Sequence, residues 1–132
     1  MADVKAEIPR LALELGYLRL QAGASDDARL FFEAAKALRP ADPTPELFLG
    51  MTLFAENRFA DAEKHYRGAL KQHANHPLLS AHLGETLIAL RRYGEAEPLL
   101  RSVAENKGDS GAAKFAADLL AALKGGIFQR AG

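Results

Sequence analysis

The chain has 132 residues, which fits one domain or a short repeat array. Alanine (26) and leucine (21) far outnumber valine, isoleucine and threonine, which total 8, so the composition argues against a β-sheet protein. The absence of cysteine excludes disulfides and thiol chemistry, and 17 basic residues balance 17 acidic ones. This balance gives no basic surplus with which to bind nucleic acid or an anionic membrane.

Apolar periodicity, interrupted by turn residues, predicts seven helices along the chain. They are expected at about 8–22, 26–38, 45–56, 60–73, 78–90, 94–106 and 110–123. Gly23 marks the first break, with Ser25 or Asp26 as the cap of the second helix. Gly125-Gly126 should end the seventh helix, and Ile127–Gly132 is expected to be a loose tail.

The N-terminal sequence has scattered charges and no continuous apolar core, so it does not resemble a secretory signal. No apolar run approaches the roughly 18 residues that a membrane helix needs. We therefore expect a soluble, cytoplasmic protein without membrane insertion.

Four positions recur at a spacing of 34 residues, across three copies. The recurring sets are Leu-Gly at 15–16, 49–50 and 83–84; Ala28, Ala62 and Ala96; Phe32, Tyr66 and Leu100; and Ala35, Ala69 and Val103. Small residues at a fixed period are typical of close helix crossings, and the large residue of each copy fills the space beside the crossing.

This pattern resembles the tetratricopeptide repeat (TPR) family over residues 9 to about 110. The resemblance implies an all-α fold: three helix-turn-helix repeats at 9–42, 43–76 and 77–110, then a capping helix at 110–123, in one domain. Neighbouring repeats stack because no helix pair buries its apolar face alone, which makes a right-handed α-solenoid. Phe115, Leu119, Leu120 and Leu123 are expected to form the buried face of the cap.

In that family the first helix of each repeat, helix A, lines a concave groove. The corresponding positions place ten residues in a peptide-binding groove: Leu13, Tyr17, Leu20, Leu47, Phe48, Met51, Phe54, His82, Glu85 and Ile88. For Leu13, Leu20 and Leu47 the periodicity is equally compatible with the core. For Met51 and Phe54 the groove is favoured, because Leu49 and Leu53 already occupy the core face of the same helix.

A narrower resemblance is to small bacterial type III secretion chaperones of the translocator, needle and apparatus-assembly classes. Leu15–Gly23 is similar to their first-helix pattern, and 47–51 and 81–87 are similar to later repeats of translocator chaperones. The resemblance implies a cytoplasmic chaperone that holds an apolar segment of a secreted or apparatus subunit in its groove. The chain begins almost at its first repeat, so we expect no dimer through the extra N-terminal segment of translocator chaperones; a homodimer and a hetero-complex are otherwise both compatible.

The alternative function is a generic TPR scaffold that joins subunits of a larger complex, for which convex charges such as Arg67 and Lys71 would matter more than groove residues. Binding of the acidic C-terminus of heat-shock chaperones is not expected. The groove positions that hold Lys or Asn in such clamps are Leu13, Tyr17, Leu47, Met51, Ala81 and Glu85 here.

No set of residues points to an enzyme, a metal or a cofactor. The four serines lack a nucleophile-elbow context, and no glycine-rich phosphate loop is present. His73 and His76 have the spacing of metal ligands, but solvated residues near a helix end explain them better. His82 and Glu85 share a helix face and are expected to form a local hydrogen-bonded pair rather than an acid–base dyad.

Overall fold

A computed structural model describes residues 4–126, with side chains from residue 7 onward. The described chain contains seven helices and no strand: α1 (Val4–Gln21), α2 (Ser25–Leu38), α3 (Pro43–Ala55), α4 (Phe59–Gln72), α5 (Pro77–Ala89), α6 (Tyr93–Ala104) and α7 (Ser110–Lys124). All seven predicted helices are confirmed, most within two residues at each end. None of the helices in this part of the chain combines the length and apolarity needed to cross a bilayer. The predicted loose tail at Ile127–Gly132 lies outside the described residues.

Proline and turn residues place the helix ends at regular positions. Pro43 and Pro77 each occupy the first turn of a helix, where the missing N–H costs nothing. The predicted cap of α2 is wrong, because the helix already begins at Ser25 and the cap residue is Ala24, which makes no side-chain hydrogen bond. Asp26 and Asp27 instead lie in the first turn, where acidic groups interact favourably with the helix dipole.

The turn between the two helices of each repeat contains one residue with left-handed backbone geometry. These residues are Gly23 (φ 81°), Asn57 (φ 61°) and Arg91 (φ 61°), and they are spaced by 34. Left-handed geometry reverses the chain direction after a helix and lets the following amides bond to the last carbonyls. Arg91 N–H donates to the Ile88 carbonyl at 2.8 Å, and Asn57 N–H to the Phe54 carbonyl at 2.9 Å. The same turn is therefore built three times.

The chain divides into two compact units, Met1–Arg58 (unit 1) and Phe59–Gly132 (unit 2). In unit 1, α2 packs against both α1 and α3, around a core of Ala28, Phe32 and Leu49. Gly16 of α1 lies directly against Phe32, and a Cβ built on Gly16 would come within 2.5 Å of the phenyl ring. The glycine is therefore required by the close crossing of α1 and α2, as the repeat pattern predicted.

In unit 2, α5 packs against α4, α6 and α7. Gly84 of α5 lies against Leu100, and an added Cβ would be 2.5 Å from Leu100 Cδ2. The cap helix α7 packs on α5 and α6, but its fully buried residues are Ala112 and Ala116. The four residues predicted to form its buried face are only half-buried: Phe115, Leu119, Leu120 and Leu123. Alanines reach the centre of this packing because they let the helix backbones approach closely.

Candidate functional site

Three aromatic rings of unit 1 form a continuous cluster, the unit 1 ring cluster, from one residue of each helix. Phe48 of α3 lies at its centre, with ring centroids 5.2 Å from Phe32 of α2 and 5.8 Å from Tyr17 of α1. Phe32 is fully buried, Phe48 is half-buried and Tyr17 is 40% exposed. The tilted rings lie at separations at which aromatic pairs attract each other beyond their area burial. The cluster therefore extends from the core to an exposed aromatic edge.

Unit 2 contains a corresponding set, the unit 2 ring cluster, made of Tyr66 of α4, His82 of α5 and Phe115 of α7. The His82 ring centroid is 6.2 Å from that of Tyr66 and 4.8 Å from that of Phe115. His82 Nδ1 also lies 3.3 Å from Glu85 Oε1, one turn along α5. This contact confirms the predicted local pair.

The unit 2 ring cluster is more polar than its counterpart. Burial, with a smaller contribution from the negative charge of Glu85, raises the pKa of the Tyr66 hydroxyl far above its ordinary range, so this phenol stays neutral. Glu85 and His82 are both half-buried. A partner reaching this surface would meet a carboxylate and an imidazole, whereas unit 1 presents phenyl and phenol rings.

The two clusters correspond through the 34-residue period: Phe32 with Tyr66, and Phe48 with His82. Each central ring is followed four residues later by a buried threonine, Thr52 or Thr86. Thr52 Oγ1 donates a hydrogen bond to the Phe48 carbonyl and Thr86 Oγ1 to the His82 carbonyl, both at 2.8 Å. These bonds satisfy buried hydroxyls inside the helix. Sequence reasoning missed both threonines, although their spacing of 34 was a usable signal.

The structure separates the ten predicted groove residues by burial. Leu47 and Ile88 are buried, so they expose little surface in the single chain. For Ile88 the reason is that α5 has three neighbouring helices within its unit and so buries more than one face. Leu13 and Leu20 are half-buried and pack at the edge of the unit 1 core, which leaves them between the two predicted roles.

The remaining predicted residues keep accessible surface. Tyr17 is exposed, and five side chains are half-buried: Phe48, Met51, Phe54, His82 and Glu85. Sequence reasoning assigned Phe115 to the cap, yet its ring lies directly against His82. No periodic signal could have shown this contact, because α7 stands outside the three repeats.

The histidine and acidic side chains of the described residues do not gather into a metal-binding cluster. Between residues 7 and 126, no three histidine, aspartate or glutamate side chains are close enough together to hold a metal ion. His73, one of the two histidines with ligand spacing, has a buried Nε2 with no hydrogen-bond partner. The other, His76, accepts a hydrogen bond from the Leu79 amide at 3.4 Å and so caps α5. The two histidines thus have separate environments, and His76 already uses Nδ1 as a helix cap.

Comparison with known proteins identifies one sequence family. The family model described as tetratricopeptide repeat matches residues 53–123, which is more than half of the chain. No individual curated protein matches the sequence significantly.

Solved structures show the same fold at low sequence identity. The type III secretion translocator chaperone SycD of Yersinia enterocolitica is 21% identical, with a TM-score of 0.77 over 89% of this chain and 90% of that chain. PcrH, solved in complex with the chaperone binding region of PopD, is 24% identical, with a TM-score of 0.70 over 88% of this chain and 90% of that chain. The first TPR of Spaghetti (RPAP3), bound to the HSP90 peptide SRMEEVD, is 18% identical, with a TM-score of 0.72 over 92% and 94%.

Proposed function

Because this chain belongs to the tetratricopeptide repeat family, we propose that it is a protein-binding chaperone that holds an apolar segment of a partner protein. The observation that carries this proposal is the unit 1 ring cluster, in which Tyr17 and Phe48 leave aromatic surface accessible above a buried Phe32. Met51 and Phe54 add further half-buried apolar surface on the same helix as Phe48. Burial of such a preformed surface favours binding without a large ordering cost.

The chemistry of the surface indicates an apolar, adaptable client segment. Aromatic rings supply large contact area, and the unbranched side chain of Met51 adjusts to different shapes. The accessible residues proposed for the groove in unit 1 carry no charge, so affinity would come mainly from apolar burial. A client segment bound at unit 2 would instead meet the hydrogen-bonding groups of His82 and Glu85.

We further propose that the setting is bacterial type III secretion, with the protein acting in the cytoplasm before export of its client. The motif resemblance at 15–23, 47–51 and 81–87 supports this, together with the fold shared with SycD and PcrH. The mechanism is sequestration: the client segment lies against the chaperone and therefore neither aggregates nor assembles early. Nucleic acid, membrane insertion and catalysis form no part of this proposal.

Capture of an acidic C-terminal peptide, as in the HSP90 complex of Spaghetti, is disfavoured. A peptide carboxylate is bound best by charge-assisted hydrogen bonds from basic side chains. The corresponding positions here are apolar or acidic, with Met51 on α3 and Glu85 on α5. The negative charge of Glu85 would repel such a peptide.

The experiment that tests the proposal has two steps. Proteins that co-purify with the tagged chain from its native host are identified by mass spectrometry, and the bound segment is then titrated as a peptide by calorimetry. Met51→Glu and Phe54→Glu should weaken binding at least tenfold with unchanged helicity. Leu30→Glu, the same kind of change at a side chain that is 72% exposed on α2, should not alter affinity. A Met51→Glu variant that still solubilises its client would contradict the groove assignment.

The second candidate function is a scaffold, and a groove in unit 2 supports it. This groove of about 640 Å³ lies between α4, α5 and α6, with Leu70, Pro98 and Leu99 among its lining residues and Arg67 and Glu95 also bordering it. If the protein joins subunits through this face, Arg67→Glu and Lys71→Glu should abolish co-purification while Met51→Glu leaves it intact. The opposite pattern supports the chaperone.

A further inference from the structure

Helix α1 carries a row of apolar side chains that no other helix of unit 1 covers. Ile8, Leu11, Leu15 and Leu18 are each between 39% and 61% exposed. Their spacing of 3, 4 and 3 residues places them on one side of the helix, in the a and d positions of two heptads. We name this row the α1 stripe. An apolar row of this length is seldom left open to water.

The α1 stripe is distinct from the face by which α1 packs in its own unit. Ala12 and Gly16 are buried, and Gly16 lies against Phe32 of α2. At about 100° per residue, the stripe points more than a quarter turn away from that packing face. Helix α1 therefore has two apolar faces. One packs against α2, and the other, the α1 stripe, is not covered by a helix of unit 1.

Charges border the stripe asymmetrically. Glu7 and Glu14 lie along one side, at the g positions, and Arg19 lies on the other side, at an e position. All three side chains are exposed. In a parallel pair of helices a g residue faces the e residue five positions later on the other helix, so Glu14 would face Arg19 of a second copy. In an antiparallel pair g faces g, and glutamates would oppose each other.

We propose that the α1 stripe is the interface of a parallel homodimer, in which the stripes of two copies pack together and Glu14 of each pairs with Arg19 of the other. Glu14 forms only an exposed ion pair with Arg10 in the single chain, 3.1 Å long, and such pairs exchange at little cost. Ile8, Leu11 and Glu14 border a shallow depression along the same side of α1, where an apolar side chain of the second copy would lie. This interface is separate from the proposed client surface and does not depend on it.

The first test is sedimentation equilibrium of the full chain over a range of concentrations. The wild type should show a monomer–dimer equilibrium, and Leu11→Glu with Leu18→Glu should weaken it at least tenfold while circular dichroism remains helical. Leu30→Glu, an equally apolar-to-acidic change on α2, should leave the equilibrium unchanged. A monomeric wild type overturns the proposal, as does a dimer that the stripe variants leave intact.

The second test determines the orientation. The chain has no cysteine, so Ile8→Cys and Leu18→Cys each introduce a single thiol. In a parallel pair both variants should cross-link to themselves on mild oxidation, because like positions approach within disulfide range. In an antiparallel pair they cannot both do so, because ten helical residues span about 15 Å. Leu30→Cys is the control for chance collision, and cross-linking of only one stripe variant would overturn the parallel arrangement.

The third test addresses the charge pair. Glu14→Arg alone and Arg19→Glu alone should each weaken the dimer severalfold, because like charges then face each other across the interface. The double variant should recover the wild-type affinity, since the pair is restored with reversed sign. Additive weakening in the double variant would contradict the proposed register.

Discussion

At the scale of single residues, steric contact decides which positions of the repeat tolerate a side chain. Gly16 and Gly84 occupy helix crossings where an added methyl group would collide with Phe32 or Leu100. Gly68 has no neighbour within 4 Å of an added Cβ, although it lies within a helix as Gly84 does. The same residue type is thus required at one position and merely tolerated at another.

This contrast predicts opposite effects for the same substitution. Gly84→Ala should destabilise the protein, because overpacking costs about 1–3 kcal/mol and the gain in helix propensity offsets only about 1 kcal/mol of it. Gly68→Ala should stabilise it by about 1 kcal/mol, because only the propensity changes. Urea unfolding followed by circular dichroism measures both. A stabilised Gly84→Ala would show that Leu100 can move away without cost.

Arg91 provides a second prediction at this scale. It occupies the left-handed position that Gly23 occupies in the first repeat, and this geometry costs a residue with a Cβ about 1–2 kcal/mol. Arg91→Gly should therefore raise stability by about 0.5–1 kcal/mol after the greater entropy loss of glycine is included. Gly23→Ala should lower it by a similar amount. Thermal unfolding checks both, and an unchanged midpoint for the pair would mean that neither turn is strained.

At the scale of helices, ion pairs connect α2 and α4, the second helices of the first two repeats, each to the turn within the next repeat. Arg29 of α2 contacts Glu56, and Glu63 of α4 lies 2.7 Å from Arg92. Positions 29 and 63 correspond through the 34-residue period and carry opposite charges. Their partners do not correspond, because Glu56 directly follows α3 and Arg92 directly precedes α6. Charge reversal of this kind opposes pairing of the wrong helices, because a mismatched junction would bring like charges together.

The junction at Glu63 predicts an acid-dependent loss of stability. Burial alone would raise the pKa of the Glu63 carboxyl, but hydrogen bonds from Arg67 and Arg92 outweigh it and hold the pKa below its ordinary value. A lowered pKa stabilises the folded state above about pH 4.3, and this contribution is lost as the pH falls through the folded-state value. Glu63→Gln should therefore lose less stability between pH 7 and pH 3 than the wild type.

The measurement is the free energy of unfolding in denaturant across that pH range. Glu105→Gln, which removes an exposed carboxylate at the end of α6, serves as the matched control. The wild type and Glu63→Gln should converge at acidic pH. Parallel curves across the whole range would show that Glu63 does not couple folding to protonation.

At the scale of the whole molecule, the repeats leave exposed ends that must be covered. Helix α7 covers α5 and α6 in unit 2, and Phe115 contributes the ring that packs against His82. In unit 1, the α1 stripe remains open. Helix α7 is thus packed against its neighbours, whereas α1 at the other end keeps an exposed apolar row.

Removal of the cap tests its contribution to stability. A chain ending at Gly108 should unfold at a lower temperature and bind a hydrophobic dye, because stacked repeats depend on a terminal helix to cover apolar surface. Phe115→Ala should have a smaller effect in the same direction, since it removes a half-buried ring and leaves Ala112 and Ala116 in place. A truncated chain with an unchanged unfolding midpoint would contradict this role.

Much of the fold could be predicted from the sequence because the signals are local or periodic. Helix positions follow from apolar spacing within one helix, and the crossing residues Gly16 and Gly84 repeat at 34. The candidate site was predicted less completely. Leu47 and Ile88 share the helical spacing of accessible residues, yet they are buried. Periodicity identifies the residues that share a face but not the elements that cover that face.

The sequence by itself determined the all-α architecture, the repeat length and the residues at helix crossings, because each depends on spacing along one chain. Only the tertiary structure decided that Tyr17 stays exposed beside Phe48, that Phe115 rather than a repeat residue lies against His82, and that the α1 stripe has no cover in its unit. The physical reason is that burial depends on neighbours distant in sequence. The sequence contains equal numbers of basic and acidic residues, which argued against nucleic-acid and membrane partners. The structure shows that some of these charges pair at the helix junctions, and that apolar side chains remain accessible elsewhere.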